Sequence, residues 1–460
     1  MGSNNYFPES TDIVLENLLS QYKETELPIN ISFRNLVNWL PNSDRATHLI
    51  HPYPAKLLMH IPHFFLSNTI FSKPRDVILD PFCGSGTVLL EAILSGRNAF
   101  GADSNPIAQL ISKVKTEPLP ERSLKNAINR LMKRIDSKKH YNVPDVVNIN
   151  YWFYPHVIKQ LAVILSAIKA TTDPAIRDFF KICFSICIRK VSLADPHLSV
   201  PVRLRLETYP EGHRLRKKSE IRLRRLRRIN VFEEIHKIIC DNFRRITSLN
   251  TLKKGEVHSK IICTDARNLF NEFTDNSKLG DGSVDLVITS PPYVGAQKYI
   301  RASSLNLGWL EMCSTKELKK FESESIGREH YHKKEYAHLT YTDIDSADDL
   351  LEEIHTINPL RAHIASNYLI EMRRAFTDIS RILKPGGHLV LVAANNHVCK
   401  KEFATQEFLS TIIENLGLSC ILKLIDDIRS RGLMTKRNKT ASVITREWIL
   451  VFRKEQDVGE

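Results

Sequence analysis

The chain has 460 residues, of which 42% are hydrophobic and 25% charged, with a formal net charge of +13. This length exceeds one typical domain, so a core with one or more insertions is expected. The polar N-terminus predicts that the chain is not secreted, and the lack of an apolar run of about 18 residues predicts that it does not span a membrane. Its eight cysteines include no Cys-x-x-Cys pair, which disfavours a zinc site or disulfide framework and favours a reducing cytoplasm.

A short apolar strand, residues 76–79, is predicted to run into the glycine turn Asp80-Pro81-Phe82-Cys83-Gly84-Ser85-Gly86-Thr87, followed by a helix over residues 88–94. Gly84 and Gly86 permit positive φ and a close approach of the backbone to a ligand, and the helix N-terminus offers unpaired N–H groups. The turn therefore suits a carboxylate or a phosphate. It lacks the third glycine of a dinucleotide fingerprint and the Gly-Lys-Ser/Thr end of a phosphate-binding loop, which disfavours dinucleotides and nucleoside triphosphates.

The next predicted strand, residues 99–102, ends at Asp103. An acidic residue at the end of the second strand of a doubly wound sheet can accept both hydroxyls of a ribose. The alternative is a helix cap, because Ser104 and Asn105 also cap well and a helix is predicted to begin near Pro106. We favour the ligand role, since Asp103 follows the glycine turn by about one helix and one turn.

Residues 116–255 are predicted to form a helical insertion that carries the excess of positive charge. They contain 29 Lys and Arg against 13 Asp and Glu. The cations predicted to bind nucleic acid are Arg214, Arg216, Lys217, Lys218, Arg222, Arg224, Arg225, Arg227 and Arg228. A basic helix is usually only solvated, but this concentration favours contact with a phosphate backbone.

The apolar strand 284–288 ends in Thr289-Ser290-Pro291-Pro292-Tyr293. Two consecutive prolines fix φ and remove two backbone donors, so their carbonyls are held outward as acceptors beside a small hydroxyl and an aromatic face. Such a corner can hold the exocyclic amino group of a nucleobase. Taken alone, the motif would be an ordinary turn.

Residues 313–362 form a polar stretch predicted as a second insertion or a mobile loop within the core, which would complete the target cleft or contact a partner. An amphipathic helix is predicted over residues 364–383. Residues 419–426 and 447–453 are predicted to be a strand pair joined by the basic loop 429–439.

Together, the glycine turn and the Ser-Pro-Pro-Tyr motif resemble those of the amino-methylating DNA methyltransferases, which use S-adenosylmethionine. The resemblance covers about residues 48–125 and from about 256 to the C-terminus. It implies an α/β fold with a doubly wound, mostly parallel, seven-stranded class I methyltransferase sheet and a helical basic insertion. The implied units are a catalytic core, residues 1–115 and 256–460, and a DNA-binding or target-recognition insertion, residues 116–255.

The resemblance also implies roles for individual residues. The residues expected to hold the cofactor are Asp80, Phe82, Gly84 and Gly86 at the methionine part, Asp103 at the ribose and Asp265, in a third-strand-like segment, at the adenine. His51 and Lys56 lie in a segment similar to one near the methionine moiety in this family, with packing or surface roles as alternatives. The expected catalytic residues are Ser290, Pro291, Pro292 and Tyr293.

In this family, Ser before Pro-Pro is usual for cytosine N4, and Asp or Asn for adenine N6, so Ser290 favours cytosine. Ser290 and the Pro291 carbonyl would accept the amine hydrogens and direct the nitrogen lone pair at the methyl group, while Tyr293 would stack on a base that has left the duplex. No cysteine nucleophile or metal is required. No Pro-Cys dipeptide occurs, which argues against methylation of a ring carbon.

The expected partner is double-stranded DNA, for a cytoplasmic, nucleoid-associated prokaryotic enzyme of the restriction-modification kind, with a cognate nuclease left open. Three alternatives remain: adenine N6 methylation, methylation of RNA, and a catalytically inactive nucleic-acid-binding protein. The intact glycine turn and Ser-Pro-Pro-Tyr motif argue against the last.

Overall fold

The computed structural model describes residues 10–40, 44–137, 140–269, 279–295, 299–428 and 445–456. In these residues a large central sheet carries helices on both faces, and a helical unit lies beside it. The predicted basic loop 429–439 lies outside the described residues. None of the helices in the described ranges is both long enough and apolar enough to cross a membrane.

The described strands are β1 (Ile29–Ile31), β2 (Val77–Asp80), β3 (Asn98–Ala102), β4 (Ser259–Cys263), β5 (Val284–Thr289), β6 (Leu383–Ala393), β7 (Asn396–Val398), β8 (Lys401–Phe403), β9 (Leu418–Asp427) and β10 (Arg446–Lys454). The helices before β4 are α1 (Thr11–Thr25), α2 (Phe33–Leu36), α3 (His60–Leu66), α4 (Thr87–Leu94), α5 (Pro106–Thr116), α6 (Glu121–Ser137), α7 (Ile149–Trp152), α8 (Pro155–Lys169), α9 (Pro174–Val191), α10 (Arg214–Leu226) and α11 (Val231–Leu252). The later helices are α12 (Tyr299–Trp309), α13 (Leu318–Glu324), α14 (Asp345–Ile357), α15 (Pro359–Ile382) and α16 (Thr405–Glu414).

Eight strands form the main sheet in the order β1-β9-β10-β6-β5-β2-β3-β4, and β7 pairs with β8 in a separate hairpin. All neighbours in the main sheet are parallel except β10, which runs antiparallel to both β6 and β9. The predicted doubly wound, mostly parallel sheet is therefore confirmed. It has one strand more than the seven predicted, because β1 pairs with the outer edge of β9. Three residues carry too little periodicity to be recognised as a strand.

The central strands are buried on both faces, as their near-continuous apolar sequence requires. In β6, Leu389 and Leu391 belong to one apolar cluster with α15 and α16, and Val390 and Val392 belong to another with α1, α3 and α4. Successive side chains of a strand point to opposite faces, so this alternation places one core on each side of the sheet.

The chain reverses its direction of winding between β2 and β5. From β2 it proceeds through β3 to β4 at one edge, and then returns to β5, on the other side of β2, before β6. Ligands of doubly wound sheets bind at the carboxyl ends of the strands where the winding reverses. The glycine turn follows β2 and the Ser-Pro-Pro-Tyr motif follows β5, so the topology brings both motifs to this point.

Between α5 and β4, helices α6 to α11 contribute no strand to the sheet in the part of the chain that is described. They share an apolar cluster with α5 and α12, in which Phe184 and Phe153 contact Trp309 edge-on. The helical unit is thus packed against two helices of the core.

Candidate active site

A cleft of about 710 Å³ lies at the carboxyl ends of β2, β3, β4 and β5. Its lining residues are Tyr53, Ala55, Pro81, Phe82, Gly84, Asp103, Ser104, Asn105, Thr264, Asp265, Ala266, Ser290, Pro292, Tyr299, Glu324, Ser325 and Ile326. A second cavity of about 320 Å³ shares five of these residues, Tyr53, Ala55, Phe82, Gly84 and Ser290, and is also lined by Lys56, Leu57, Asp80, Cys83, Ser85 and Thr87. The two cavities bring the glycine turn and the Ser-Pro-Pro-Tyr motif to one place.

The glycine turn has the conformation that its two glycines were expected to allow. Gly84 and Gly86 have φ of 50° and 69°, in the left-handed region, and Gly86 is the N-cap of α4. A Cβ on Gly86 would lie 2.8 Å from Ser112 Oγ and 3.0 Å from Ser112 Cα. The turn therefore needs glycine at position 86 both for its backbone conformation and for its close contact with α5.

A hydrogen bond joins the two motifs directly. The Thr289 hydroxyl, at the end of β5, donates to Asp80 Oδ1, at the end of β2, over 2.7 Å. Burial raises the pKa of Asp80 to about 7, and the bonds from Thr289 and from the Phe82 N–H act in the opposite direction. Asp80 is thus a buried carboxyl group at the floor of the site, next in space to the residue that precedes Ser290.

Asp103 supports the glycine turn as well as lining the cleft. Its Oδ2 accepts from the Gly84 N–H over 2.9 Å, and its Oδ1 accepts from the Asn105 N–H over 2.8 Å. Burial raises its pKa to about 6, and these two bonds partly offset the increase. The N-cap of α5 is Asn105, whose side chain accepts from the Ile107 N–H. The capping alternative therefore applies to Asn105, and Asp103 remains at the cleft.

Asp265 also lines the cleft, but its carboxylate is already paired. The Arg267 guanidinium donates to both oxygens, from Nε to Oδ1 over 2.9 Å and from Nη2 to Oδ2 over 2.8 Å. Arg267 also donates to Glu371 Oε1 over 2.8 Å. An adenine amine at Asp265 would have to share an acceptor with this ion pair.

The four predicted catalytic residues are placed differently. Ser290 and Pro292 line the cleft, whereas Pro291 is buried behind them. Tyr293 does not line either cavity, and its hydroxyl donates to Glu447 Oε1 at the start of β10 over 3.4 Å. Burial raises the pKa of Glu447 to about 6. The aromatic ring of the motif thus faces the β10 side of the site, away from Asp103.

The structure places Lys56 at the site and His51 outside it. Lys56 lines the smaller cavity and donates to the His48 carbonyl over 2.6 Å, and burial lowers its pKa to about 8. His51 lines neither cavity. It is buried between Ser185 Oγ of α9, 2.9 Å from Nε2, and the Pro52 carbonyl, 2.6 Å from Nδ1, and burial lowers its pKa to about 4. The structure thus favours the packing alternative for His51.

Several residues of the site were not identified from the sequence. Tyr53 and Tyr299 stack with their ring centroids 6.3 Å apart, and both line the cleft. Residues 324–326, at the end of α13 and just after it, form another part of the wall. Tyr53 lies in the segment already identified around His51 and Lys56, and 324–326 lie in the polar stretch 313–362, but no local pattern distinguished them.

The predicted DNA-binding cations lie on and just after α10. Seven of the nine are exposed: Arg214, Lys217, Lys218, Arg224, Arg225, Arg227 and Arg228. The other two are half-buried. Arg216 forms ion pairs with Glu211 and Glu220, and Arg222 Nη2 donates to the carbonyls of Lys190 and Ser192 at the end of α9. As placed, Arg222 holds α10 onto α9 rather than facing solvent.

The two cavities suit the two ends of S-adenosylmethionine. The buried hydroxyl of Thr87, in the smaller cavity, has no hydrogen-bond partner in the described ranges. Together with Lys56 and the N-terminus of α4 it could bind a carboxylate, and Asp80 could bind an ammonium group. In the larger cleft, Phe82 and Ile326 offer apolar surface, and Asp103 offers carboxylate oxygens for a ribose diol.

The chain is similar to known methyltransferases. A family model described as DNA methylase matches residues 38–113. The type II methyltransferase M.MvaI of Kocuria varians is 25% identical over 443 residues, covering 90% of this chain and 92% of its own. The type II methyltransferase M.BsoBI of Geobacillus stearothermophilus is 22% identical and covers 92% and 88%. A solved SAM-dependent methyltransferase of Methanosarcina mazei is 10% identical, covers 84% and 96%, and has a TM-score of 0.30.

Proposed function

We propose, from the premise that this chain belongs to the amino-methylating DNA methyltransferases, that it transfers a methyl group from S-adenosylmethionine to the exocyclic N4 amine of cytosine in DNA. The observation that carries the proposal is the junction of the two motifs. Thr289 is bonded to Asp80, and the next residue, Ser290, lines the same cavities as Phe82 and Gly84. A group held at the glycine turn would therefore lie beside an acceptor for a nucleobase amine.

The cofactor is S-adenosylmethionine, with its amino acid end in the smaller cavity and its nucleoside in the larger cleft. Asp80 would hold the ammonium group, Lys56 and Thr87 would hold the carboxylate, and Asp103 would hold the ribose hydroxyls. Ile326 would contact the adenine ring, with Asp265 at its edge, and Phe82, which lines both cavities, would lie between the methionine part and the adenine. When bound, the cofactor supplies an electrophilic methyl group on a sulfonium centre.

Cofactor affinity is expected to rise between pH 5.5 and 7.5, because Asp80 has a raised pKa of about 7 and must ionise to pair with the ammonium group. Since a raised carboxyl pKa means that Asp80 binds more protons in the folded apoprotein than in the unfolded chain, the contribution of Asp80 to stability should fall over the same interval. Calorimetric titration with S-adenosylmethionine measures the first trend, and the difference in urea unfolding between the parent and Asp80→Asn measures the second. The ammonium group of the ligand stays mostly protonated up to pH 7.5, since an α-amino group titrates near pH 7.7 to 8.0.

An Asp80→Asn variant serves as the control, because an amide does not ionise. Its cofactor affinity should be lower and should vary less with pH, leaving the contributions of Asp103, whose pKa is about 6, and of Lys56, whose pKa is about 8. The same pH dependence in the variant as in the parent would contradict the role given to Asp80.

The target amine is a poor nucleophile, because its lone pair is delocalised into the aromatic ring. Ser290 Oγ, which lines both cavities, would accept one of its hydrogens. The carbonyl of the buried Pro291 would accept the other if the bound base reaches it, and the two bonds would favour a pyramidal nitrogen whose lone pair points towards the methyl group. With the cofactor bound, the nitrogen would form a bond to the methyl carbon as the bond from that carbon to sulfur breaks, and the released proton would pass to solvent. No enzyme nucleophile is needed.

The amine of a paired cytosine lies inside the duplex, so the base must leave the helix to reach Ser290. Tyr293, whose hydroxyl is held by Glu447, offers an aromatic face on the side of the site away from Asp103. The exposed cations of and after α10 bind the phosphate backbone. These contacts offset the cost of unstacking, which is on the order of a few kcal/mol.

Adenine N6 is the second candidate target, because its amine presents the same two hydrogens to the same acceptors. Ser290 favours cytosine by the family pattern stated above. The discriminating experiment is to incubate plasmid DNA with the protein and isotopically labelled S-adenosylmethionine, digest the DNA and identify the labelled nucleoside. We expect N4-methylcytosine. Label in N6-methyladenine would reassign the target, and cofactor binding without transfer to DNA or RNA would indicate an inactive binding protein.

A further inference from the structure

One surface of the helical unit has no part in the chemistry described so far. It lies where the loop before α7 meets the segment after α9. An open cleft of about 930 Å³ is lined there by Val146, Asn148, Ile149, Asn150 and Tyr151. The two asparagines and the tyrosine are exposed, Tyr151 by 40%. This surface, residues 146–151 together with Arg203, is called the loop surface below.

The asparagines present free amide groups. Asn148 is the residue before α7, at φ 50°, but its side chain makes no capping hydrogen bond. Within the described ranges, neither the Asn148 nor the Asn150 side chain makes a hydrogen bond. An asparagine amide donates and accepts at once, which matches the N6 and N7 edge of adenine in the major groove. The left-handed backbone of residue 148 also favours asparagine, but that conformation leaves its amide group available to a ligand.

Arg203 is held in place next to them. Its guanidinium carbon lies 4.7 Å from the centroid of the Tyr151 ring, and its Nη1 donates to the Tyr151 carbonyl. The backbone of Arg203 is fixed by a β-bridge to Ala194. A stacked guanidinium loses little conformational freedom on binding, and its remaining N–H groups can pair with the O6 and N7 of guanine. The loop surface thus holds side chains that read base edges.

The loop surface and the basic helix are attached to the same piece of chain. The Leu193 N–H donates to the Trp152 carbonyl of α7, and Arg222 of α10 donates to the carbonyls of Lys190 and Ser192. Helix α10 is therefore anchored to the same end of α9 that holds α7 and the loop surface. Cations that bind phosphates position a duplex, and neighbouring polar side chains can then read its bases.

Helix α12 connects this surface to the catalytic cleft. Tyr299 at its beginning lines the cleft, while a Cβ built on Gly308 near its end would lie 3.3 Å from the Asp145 carbonyl and 3.4 Å from Val146. Nine residues of helix span roughly 14 Å, which corresponds to about four steps of 3.4 Å along a DNA strand. The loop surface is therefore at the distance expected for a short recognition sequence around the target base.

We infer that Asn148, Asn150 and Arg203 read base edges of DNA a few base pairs from the methylated base, and so determine the sequence that is methylated. The inference rests on the proposed function, since it assumes that DNA lies across both the cleft and the basic helix. It assigns base reading to the loop surface and backbone binding to the exposed arginines of α10.

The test compares two double variants on a library of duplexes with randomised sequence, with the methylated products identified by sequencing. Asn148→Ala with Asn150→Ala should lower discrimination between the preferred sequence and single mismatches about 10-fold or more. Its free energy of unfolding should fall by no more than about 1 to 2 kcal/mol, the cost of alanine at the Asn148 φ of 50°, because neither side chain makes a hydrogen bond in the described ranges. Arg203→Ala should relax the preference at a different base pair.

The matched control is Arg224→Ala with Arg225→Ala. It should weaken binding to every sequence and keep the sequence preference of the parent. The slope of log affinity against log salt should become less steep by about 1.8, because two phosphate contacts are lost. An unchanged sequence preference in an active asparagine double variant would overturn the inference and leave the proposed function standing. Absence of any DNA methylation by the parent chain would overturn both.

Discussion

Replacing Ser290 by alanine is expected to lower the turnover number about 100-fold, while the dissociation constant for S-adenosylmethionine changes by less than about threefold. The hydroxyl lines the cleft at its junction with the smaller cavity, where it would accept a hydrogen of the target amine. That bond matters most as the nitrogen becomes pyramidal in the transition state. Its loss should therefore appear in turnover rather than in ground-state binding. Single-turnover methylation kinetics and calorimetric titration of the cofactor measure the two quantities separately.

Ser283→Ala is a matched control for this variant. Ser283 immediately precedes the same strand, β5, at the end opposite the cleft, and its hydroxyl donates to the Gly280 carbonyl over 2.6 Å. Turnover should remain close to that of the parent. Equal losses of turnover and cofactor affinity in Ser290→Ala would contradict the proposed role, because they would indicate a general distortion of the cavity rather than a missing acceptor.

Replacing Gly86 by alanine is expected to abolish measurable cofactor binding and to destabilise the fold by about 2 to 4 kcal/mol. Part of this cost arises because φ is 69°, a conformation that costs an alanine about 1 to 2 kcal/mol. The remainder arises because the new methyl group would lie 2.8 Å from Ser112 Oγ and 3.0 Å from Ser112 Cα. Relief of this clash must move either α5 or the N-terminus of α4, and the latter is the part that would contact the cofactor.

Gly212→Ala separates the two contributions, since Gly212 has a similar φ of 78° but, apart from its chain neighbours, no atom of the described residues lies within 4 Å of the added methyl group. It should cost only the backbone term, about 1 to 2 kcal/mol, and leave cofactor affinity unchanged. Urea unfolding and calorimetry measure both variants. Equal destabilisation of the two variants would show that Ser112 moves away from the added methyl group with no loss of stability. Normal cofactor binding by Gly86→Ala would show that the glycine turn does not contact the cofactor.

The local elements of the core were predictable because short-range patterns specify them. The strand expected at residues 76–79 is β2, Val77–Asp80, and the helix expected at 88–94 is α4, Thr87–Leu94. The helix expected at 364–383 is α15, Pro359–Ile382, which begins earlier because Asn358 caps it and Pro359 occupies its first turn. Apolar periodicity and the positions of glycine and proline suffice for such assignments.

The pairing of individual side chains was not predictable in the same way. Nothing near Asp265 in the sequence distinguishes a free carboxylate from one chelated by Arg267, and Arg222 resembles its exposed neighbours until its bonds to Lys190 and Ser192 are seen. His51 likewise needed its contact with Ser185, 134 positions away, to be placed outside the cleft. Each of these outcomes depends on segments that meet only in the folded chain.

By itself, the sequence determined β2, the glycine turn and α4, the proline-fixed acceptors at 290–293 and the charge of the helical insertion. Backbone preferences, hydrogen-bonding groups and formal charges are properties of the residues themselves, so they can be read without the fold. Only the tertiary structure decided that Thr289 bonds Asp80, that β1 adds an eighth strand and that residues 324–326 reach the cleft. Such contacts depend on how the sheet brings distant strand ends together, and this long-range geometry leaves no local pattern in the chain.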